Sequence, residues 1–226
     1  PTITEGMGSG GKPEVGRKAV KESQDQVSTL LRDADMVFVT AAMGGGTGSG
    51  AASMVADMAR RQGALTVGIA TLPFSFEGPR RRSVAEAGLQ RLRSKVDTLI
   101  TIENDRLLKS LGGSVTLDAA FRLADKVLRQ GVQGIYDIIT LPGLINVDFA
   151  DVKSVIAGGG SAFMAVGEGR GPLGAVEAAR NAISDPLLGA PLRGATGILF
   201  NVRGGKDLTL GQVHRVAELV ESASGP

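Results

Sequence analysis

Ala41-Ala42-Met43-Gly44-Gly45-Gly46-Thr47-Gly48-Ser49-Gly50 sets the architecture of this chain: five glycines fall within residues 44–50, and the apolar run Asp35-Met36-Val37-Phe38-Val39-Thr40 leads into them. The order reads as strand, bare backbone turn, helix. Glycine has no Cβ and reaches positive φ cheaply, so successive N–H groups can fold inward and lie against a bulky anion. Phosphate is the natural candidate. The following helix, expected over Ser49–Gln62, points its N-terminus and the positive end of its dipole at the same place. Thr47 and Ser49 add hydroxyl donors. The ordinary alternative is a strand-to-helix connection kept small for packing, but two glycines suffice for that.

Working outward, Lys12-Pro13-Glu14-Val15 looks like a helix start with proline near N1, continued by Val20, Val27, Leu30 and Leu31 to Asp33. Met36–Ala42 is expected as a buried strand. Beyond the glycines, Met54, Val55 and Met58 recur at helical spacing, and Gly63 stops that helix. Leu65–Thr71 reads as a second buried strand, Pro79–Val96 as a helix and Asp97–Glu103 as a third strand. Strands alternating with helices at this spacing predict an α/β fold with a parallel, Rossmann-like nucleotide-binding sheet. A long helix follows over Leu117–Thr140, spanning about 35 Å at the helical rise per residue. After it come an expected strand Ser161–Gly167, helix Pro172–Ile183, strand Ala195–Val202 and helix Thr209–Ala223, which together read as a smaller α+β domain. The expected organisation is therefore a nucleotide-binding domain over 1–115, a central helix over 116–140 and a second domain over 141–226. Three strands are few for such a sheet and residue 1 is proline, so the chain is expected to be part of a longer protein, with strands preceding Pro1.

Composition limits the chemistry. The 226 residues are 42% hydrophobic, enough to support a core. Lys and Arg total 25 against 23 Asp and Glu, leaving a formal charge of +2 that implies no basic face for nucleic acid. The absence of cysteine rules out disulfides and thiolate metal sites, and a single histidine, His214, leaves no His cluster and no Ser-His triad. No protein metal site is expected. No apolar run approaches the ~20 residues that span a bilayer and no signal peptide opens the chain, so a cytoplasmic protein without direct membrane insertion is expected.

Other segments carry possible chemistry. Gly6-Met7-Gly8-Ser9-Gly10-Gly11 is a second glycine turn ahead of a helix, so two helix N-termini could converge on one polyphosphate; a flexible end is an equally good account. Glu77 with Arg80, Arg81 and Arg82 lies just past a parallel strand, where open α/β sheets bind ligands; a carboxylate there suits ribose hydroxyls and an arginine suits phosphate. Asn104 follows the third strand at the same edge, as a sugar or base contact or as an ordinary helix cap. Asp125 offers a carboxylate to paired N–H donors of the guanine type, yet its spacing from Arg129 favours a routine ion pair. Asn146, Asp148 and Asp151 form a polar cluster past the long helix, able either to orient a water or to cap the next helix. With the phosphate turns at the other end of that helix, these acids are expected to lie out of reach of their own chain's nucleotide.

The glycine signature and five further blocks, in order, carry a resemblance. Gly44-Gly45-Gly46-Thr47-Gly48-Ser49-Gly50 resembles the tubulin-superfamily signature GGGTG[ST]G. The segments Asp35–Ala41, Pro73-Phe74-Ser75-Phe76-Glu77-Gly78, Asn104-Asp105-Arg106-Leu107-Leu108, Val127–Ile135 and Pro142–Val152 are similar to the FtsZ family of bacterial cell-division GTPases. The resemblance covers nearly the whole chain. It implies a GTP/GDP-binding, GTP-hydrolysing protein that polymerises head to tail with itself into protofilaments of the mid-cell division ring. Residue by residue, it implies Gly8, Ser9 and Gly10 as one phosphate loop and Gly44, Gly45, Gly46, Thr47, Gly48, Ser49 and Gly50 as the main one. Glu77 and Arg81 would serve ribose and phosphate, Asn104 the nucleoside, and Phe121 and Asp125 the guanine ring. Asn146, Asp148 and Asp151 would enter the neighbouring subunit's site and position the attacking water, with Mg²⁺ on the phosphates. Other division-ring proteins would dock on a C-terminal tail beyond this chain. Gly131, where the family often has alanine, is a departure that costs about 1 kcal/mol in a helix interior.

Two other readings remain. Gly46-Thr47-Gly48-Ser49-Gly50-Ala51 fits the loose dinucleotide fingerprint of an NAD-dependent oxidoreductase, but the next strand ends Ile69-Ala70-Thr71-Leu72-Pro73 without the acid that fingerprint requires. A filament protein that binds nucleotide without hydrolysis is opposed by the presence of both Asp148 and Asp151.

Overall fold

The computed structural model describes residues 1–111, 116–141, 147–185 and 192–225. Two compact units emerge, Pro1–Leu128 with Ile156–Ala162, and Arg129–Val155 with Phe163–Pro226. In the first, strands β1 (Met36–Ala42), β2 (Leu65–Leu72), β3 (Thr98–Glu103) and β4 (Gly160–Ala162) form one parallel sheet in the order β1-β2-β3-β4. Every residue of β2 is buried, which is why it reads as an uninterrupted apolar run: a central parallel strand has both faces covered. Helices α1 (Pro13–Glu22), α2 (Gln24–Leu30), α3 (Gly46–Arg61), α4 (Pro79–Arg93) and α5 (Asn104–Leu111) connect or flank these strands. The core draws Val39 and Met43 from the β1 end, Ala52 and Ala56 from α3, Ala70 and Leu72 from β2, and Ala85 and Leu92 from α4.

Register fixes where the loops emerge. Ala42 pairs with Thr71, Leu72 pairs with Glu103, and the Met43 N–H extends the ladder to the Thr71 carbonyl at 2.9 Å. The glycine turn, the segment after β2 and the start of α5 therefore leave the sheet at one edge. Polar clamps close the other edge. Asp97 accepts from the Thr66 N–H at 2.8 Å and pairs with Arg60 at 3.4 Å, while Asp57 joins Lys95 at 2.9 Å and Arg61 at 2.8 Å. Lys95, chiefly through its hydrogen bond, holds the Asp57 carboxyl below its ordinary pKa, with partial burial pushing the other way.

Helix α6 (Leu117–Thr140) runs from the first unit into the second. The second unit also contains α7 (Phe149–Ile156) up to Val155, α8 (Gly174–Ile183) and α9 (Leu210–Ser224), with α8 packed on α9. Thr209 caps α9 reciprocally with Gln212, whose amide also reaches the Pro172 carbonyl at 2.8 Å. Within α6, buried Asp137 accepts from Gln133 at 2.6 Å and pairs with Arg203 at 2.8 Å.

Several boundaries differ from the sequence expectation. The helix expected from Lys12 to Asp33 breaks at Ser23, whose φ of −104° and ψ of 15° leave the helical region. Helix α3 starts at Gly46 rather than Ser49, so its first turn is made of the glycine run itself. The strand expected at Ser161–Gly167 is confined to Gly160–Ala162 and completes the first unit's sheet against β3. No strand is assigned over residues 195–202 among the described residues. A strand exists only where a neighbour completes its ladder, and apolar alternation does not name the neighbour.

Candidate functional site

At the shared sheet edge two helix N-termini abut. A Cβ on Gly16 would fall on the Gly46 carbonyl, one on Gly50 on the Pro13 carbonyl, and one on Gly46 on Ser9 Oγ, so only glycine lets α1 and α3 approach this closely. The glycine turn Gly6–Gly11 enters α1 as the turn Met43–Gly45 enters α3. First-turn N–H groups of α3 have no intrahelical acceptor, and their dipole end is positive. Gly44 adopts a φ of +98°, and its N–H donates to Ser49 Oγ at 2.9 Å. Ser49 is buried and its hydroxyl accepts from the turn, so it closes the cradle from inside while Thr47 carries the outer hydroxyl.

The second segment folds onto the first. A Cβ at Gly44 would stand 2.8 Å from Arg81 Cγ, which brings Arg81 beside the cradle. Arg81 pairs with Glu77 at 2.9 Å, and the other Glu77 oxygen accepts from the Phe74 N–H at 2.9 Å, so the carboxylate is held in place at both oxygens. Arg82 is drawn to Glu86 at 2.8 Å, and that hydrogen bond raises its pKa further above the ordinary guanidinium value. Arg80 is exposed.

An aromatic corner borders this segment. Phe76 stacks on buried Phe74 with centroids 5.1 Å apart, and Phe121 of α6 meets Phe74 edge-on at 5.3 Å and 88°. Both outer rings are exposed, presenting flat apolar faces. Asn104 is buried with its Oδ1 lacking a protein partner, an orphaned acceptor of the kind a ligand donor satisfies. Asp105 accepts from the Ser75 N–H at 2.8 Å, tying the start of α5 to the Pro73–Gly78 segment. Asp125 is exposed and forms no ion pair among the described residues, so the pairing with Arg129 that spacing favoured is not made.

The acidic residues past α6 divide their work. Asp148 caps α7, its Oδ1 accepting from the Asp151 N–H at 2.8 Å, and the Asp151 side chain is exposed on the first turn. Asn146 lies outside the described residues.

The Tubulin/FtsZ family GTPase-domain model matches residues 1–112, and the FtsZ family C-terminal-domain model matches residues 160–226. An empty FtsZ dimer from M. jannaschii is 44% identical over 100% of this chain and 65% of its own, with a TM-score of 0.95. A point mutant of M. jannaschii FtsZ is 44% identical over 99% of this chain and 67% of its own, with a TM-score of 0.94. The chain belongs to the FtsZ family. It spans 65% of the length of the first of these relatives. The GDP-bound monomer of CetZ1 from Haloferax volcanii, 23% identical over 99% of this chain and 68% of its own, shares the fold with a TM-score of 0.76.

Family membership removes the oxidoreductase reading. It does not by itself single out Phe74 and Phe76, which sequence reasoning left without a role although both stand in the Pro73–Gly78 block. The signal was present as two aromatics two residues apart, in a chain with only seven phenylalanines. Nothing in the sequence pointed to the bond between Ser9 Oγ and Thr47 Oγ1, 3.1 Å long, because 38 residues separate the two.

Proposed function

We propose that this FtsZ-family chain binds GTP and GDP at the paired glycine turns, hydrolyses GTP, and polymerises head to tail. The observation that carries the reading is the abutment of two helix N-termini, each preceded by a glycine turn, at the C-terminal edge of a parallel sheet. Such an edge supplies many amide donors and two positive dipole ends to one polyphosphate. In this reading Gly8, Ser9, Gly10 and Gly44–Gly50 surround the phosphates and Arg81 adds a cation. Glu77 faces ribose, Asn104 the nucleoside, and Phe121 with Asp125 the guanine. Guanine selectivity follows from the chemistry of Asp125: one carboxylate accepts two neighbouring N–H donors, a pair adenine does not offer. The cradle's donors are neutral amides, hydroxyls and a guanidinium, a set that fits phosphate and not a cation. Mg²⁺ would therefore arrive on the nucleotide, where it offsets phosphate charge.

Hydrolysis is assigned to a junction between two copies. Helix α6 has 24 residues, about 36 Å of rise, between the end bearing Phe121 and the end from which the chain continues to Asp148 and Asp151. Asn146, Asp148 and Asp151 of one copy would then enter the next copy's site and orient a water; the carboxylate of Asp148 or Asp151 would accept its proton as it attacks the terminal phosphorus, whose bond to the bridging oxygen breaks to release GDP. A heterologous contact of this kind does not close, so it propagates as a filament. The chain's place would be the cytoplasmic mid-cell division ring, with other ring proteins docking outside these residues.

Sedimentation of the full-length protein with GTP, GDP and ATP tests the proposal. Pelleting with GTP alone is expected, together with phosphate release that rises with polymer. Equal pelleting with ATP refutes guanine selectivity, and turnover in dilute protein that forms no polymer refutes the trans arrangement.

A further inference from the structure

Ser9 is the single buried residue in the otherwise exposed run Glu5–Lys12. Gly6, Gly8, Gly10 and Gly11 around it all have positive φ, and a Cβ on any of them would meet nothing within 4 Å. The turn thus has no side-chain packing of its own, and glycine-rich backbone is costly to hold in one conformation. What fastens it laterally is the bond between Ser9 Oγ and Thr47 Oγ1 at 3.1 Å, part-buried between the two turns. The Lys12 N–H adds a local closure onto the Ser9 carbonyl at 3.0 Å. Ser9 Oγ also occupies the space a Cβ on Gly46 would need, so the serine sits against the first residue of α3. Two hydroxyls carry two hydrogens. One is used in their mutual bond, and the other stays available to a ligand oxygen.

We propose that Ser9 is a positioning residue: its hydroxyl, through Thr47, latches the Gly6–Gly11 turn onto the Gly44–Gly50 cradle so that both address the same phosphates. The ligand in this statement rests on the nucleotide reading above, whereas the latch itself does not. Holding the turn in place before binding removes ordering entropy from the binding step, so the latch acts on nucleotide residence time. Ser9 need not touch the nucleotide with its side chain to do this.

The test uses the full-length protein with Ser9→Ala, Thr47→Val and the double variant, plus Thr47→Ser, which keeps the hydroxyl. Hydrogen exchange of residues 5–12 is followed without nucleotide, and release of a fluorescent GTP analogue is timed. Ser9→Ala should speed exchange across 5–12 while leaving β2 unchanged. It should speed analogue release about threefold to tenfold, the effect of one neutral hydrogen bond. The double variant should release no faster than Thr47→Val, because both changes break the same bond. Thr47→Ser should behave as wild type in exchange. Unchanged exchange in Ser9→Ala, or release rates that multiply in the double variant, overturns the latch. Failure of the wild-type protein to bind the analogue refutes the nucleotide reading alone, and the exchange data still decide the latch.

Discussion

Replacing Gly50 with alanine sets a local preference against a tertiary contact. Gly50 lies within the first turns of α3, where alanine is favoured over glycine by about 1 kcal/mol of helix propensity. In the folded chain the added Cβ falls on the Pro13 carbonyl oxygen and stands 3.0 Å from its carbon. That obstacle is backbone, so relief requires α1 to move off α3. Overpacking of this kind costs about 1–3 kcal/mol, and a contact so close belongs in the upper half of that range. The net expectation is a loss of about 1–2 kcal/mol, or a fall in Tm of about 2–8 °C for a chain of this size. Gly134 in α6 supplies the internal comparison, because a Cβ there meets nothing within 4 Å. Gly134→Ala should stabilise by about 0.5–1 kcal/mol. Urea unfolding followed by circular dichroism reads both. A Gly50→Ala protein as stable as wild type, or more so, would refute the claim that the two helix ends are pressed together at that glycine.

Acid should dissolve the clamp at the far edge of the sheet. Lys95, through its hydrogen bond first, depresses the Asp57 pKa, so the stabilisation is present above the ordinary carboxylate value and disappears as pH falls through the lowered one. Asp57→Asn should therefore destabilise at neutral pH by less than about 1 kcal/mol, since Lys95 and Arg61 are solvent-screened, and should converge with wild type in acid. A stability difference that stays constant from neutral pH to acid would contradict the pairing. At the start of α7, Asp148→Ala removes a cap worth about 1 kcal/mol whereas Asp148→Asn preserves it. Loss of GTP turnover by both variants, with GTP binding spared, assigns the charge to chemistry; turnover retained in Asp148→Asn would reduce Asp148 to a helix cap.

The first unit was legible because its signals are local and repeated. The apolar runs of β1, β2 and β3, the proline that opens α1 and the glycines before α3 each determine their own segment. Errors arose where a segment's state depended on a distant partner. Residues 160–162 become strand because β3 offers an edge, and no property of Gly160-Ser161-Ala162 names β3. The same holds for Asp125: spacing put its carboxylate in an ion pair with Arg129, and packing leaves it exposed without one among the described residues.

By itself the sequence determined the strand–turn–helix grammar, the donor chemistry of the glycine turns and the family, because these depend on residue type at short range. Only the tertiary structure decided that Gly16, Gly46 and Gly50 seat two helix ends against each other, that Phe74 carries two exposed rings, and that Ser9 bonds Thr47. Those arrangements join residues tens of positions apart, and whether such groups meet is settled by how the intervening chain packs.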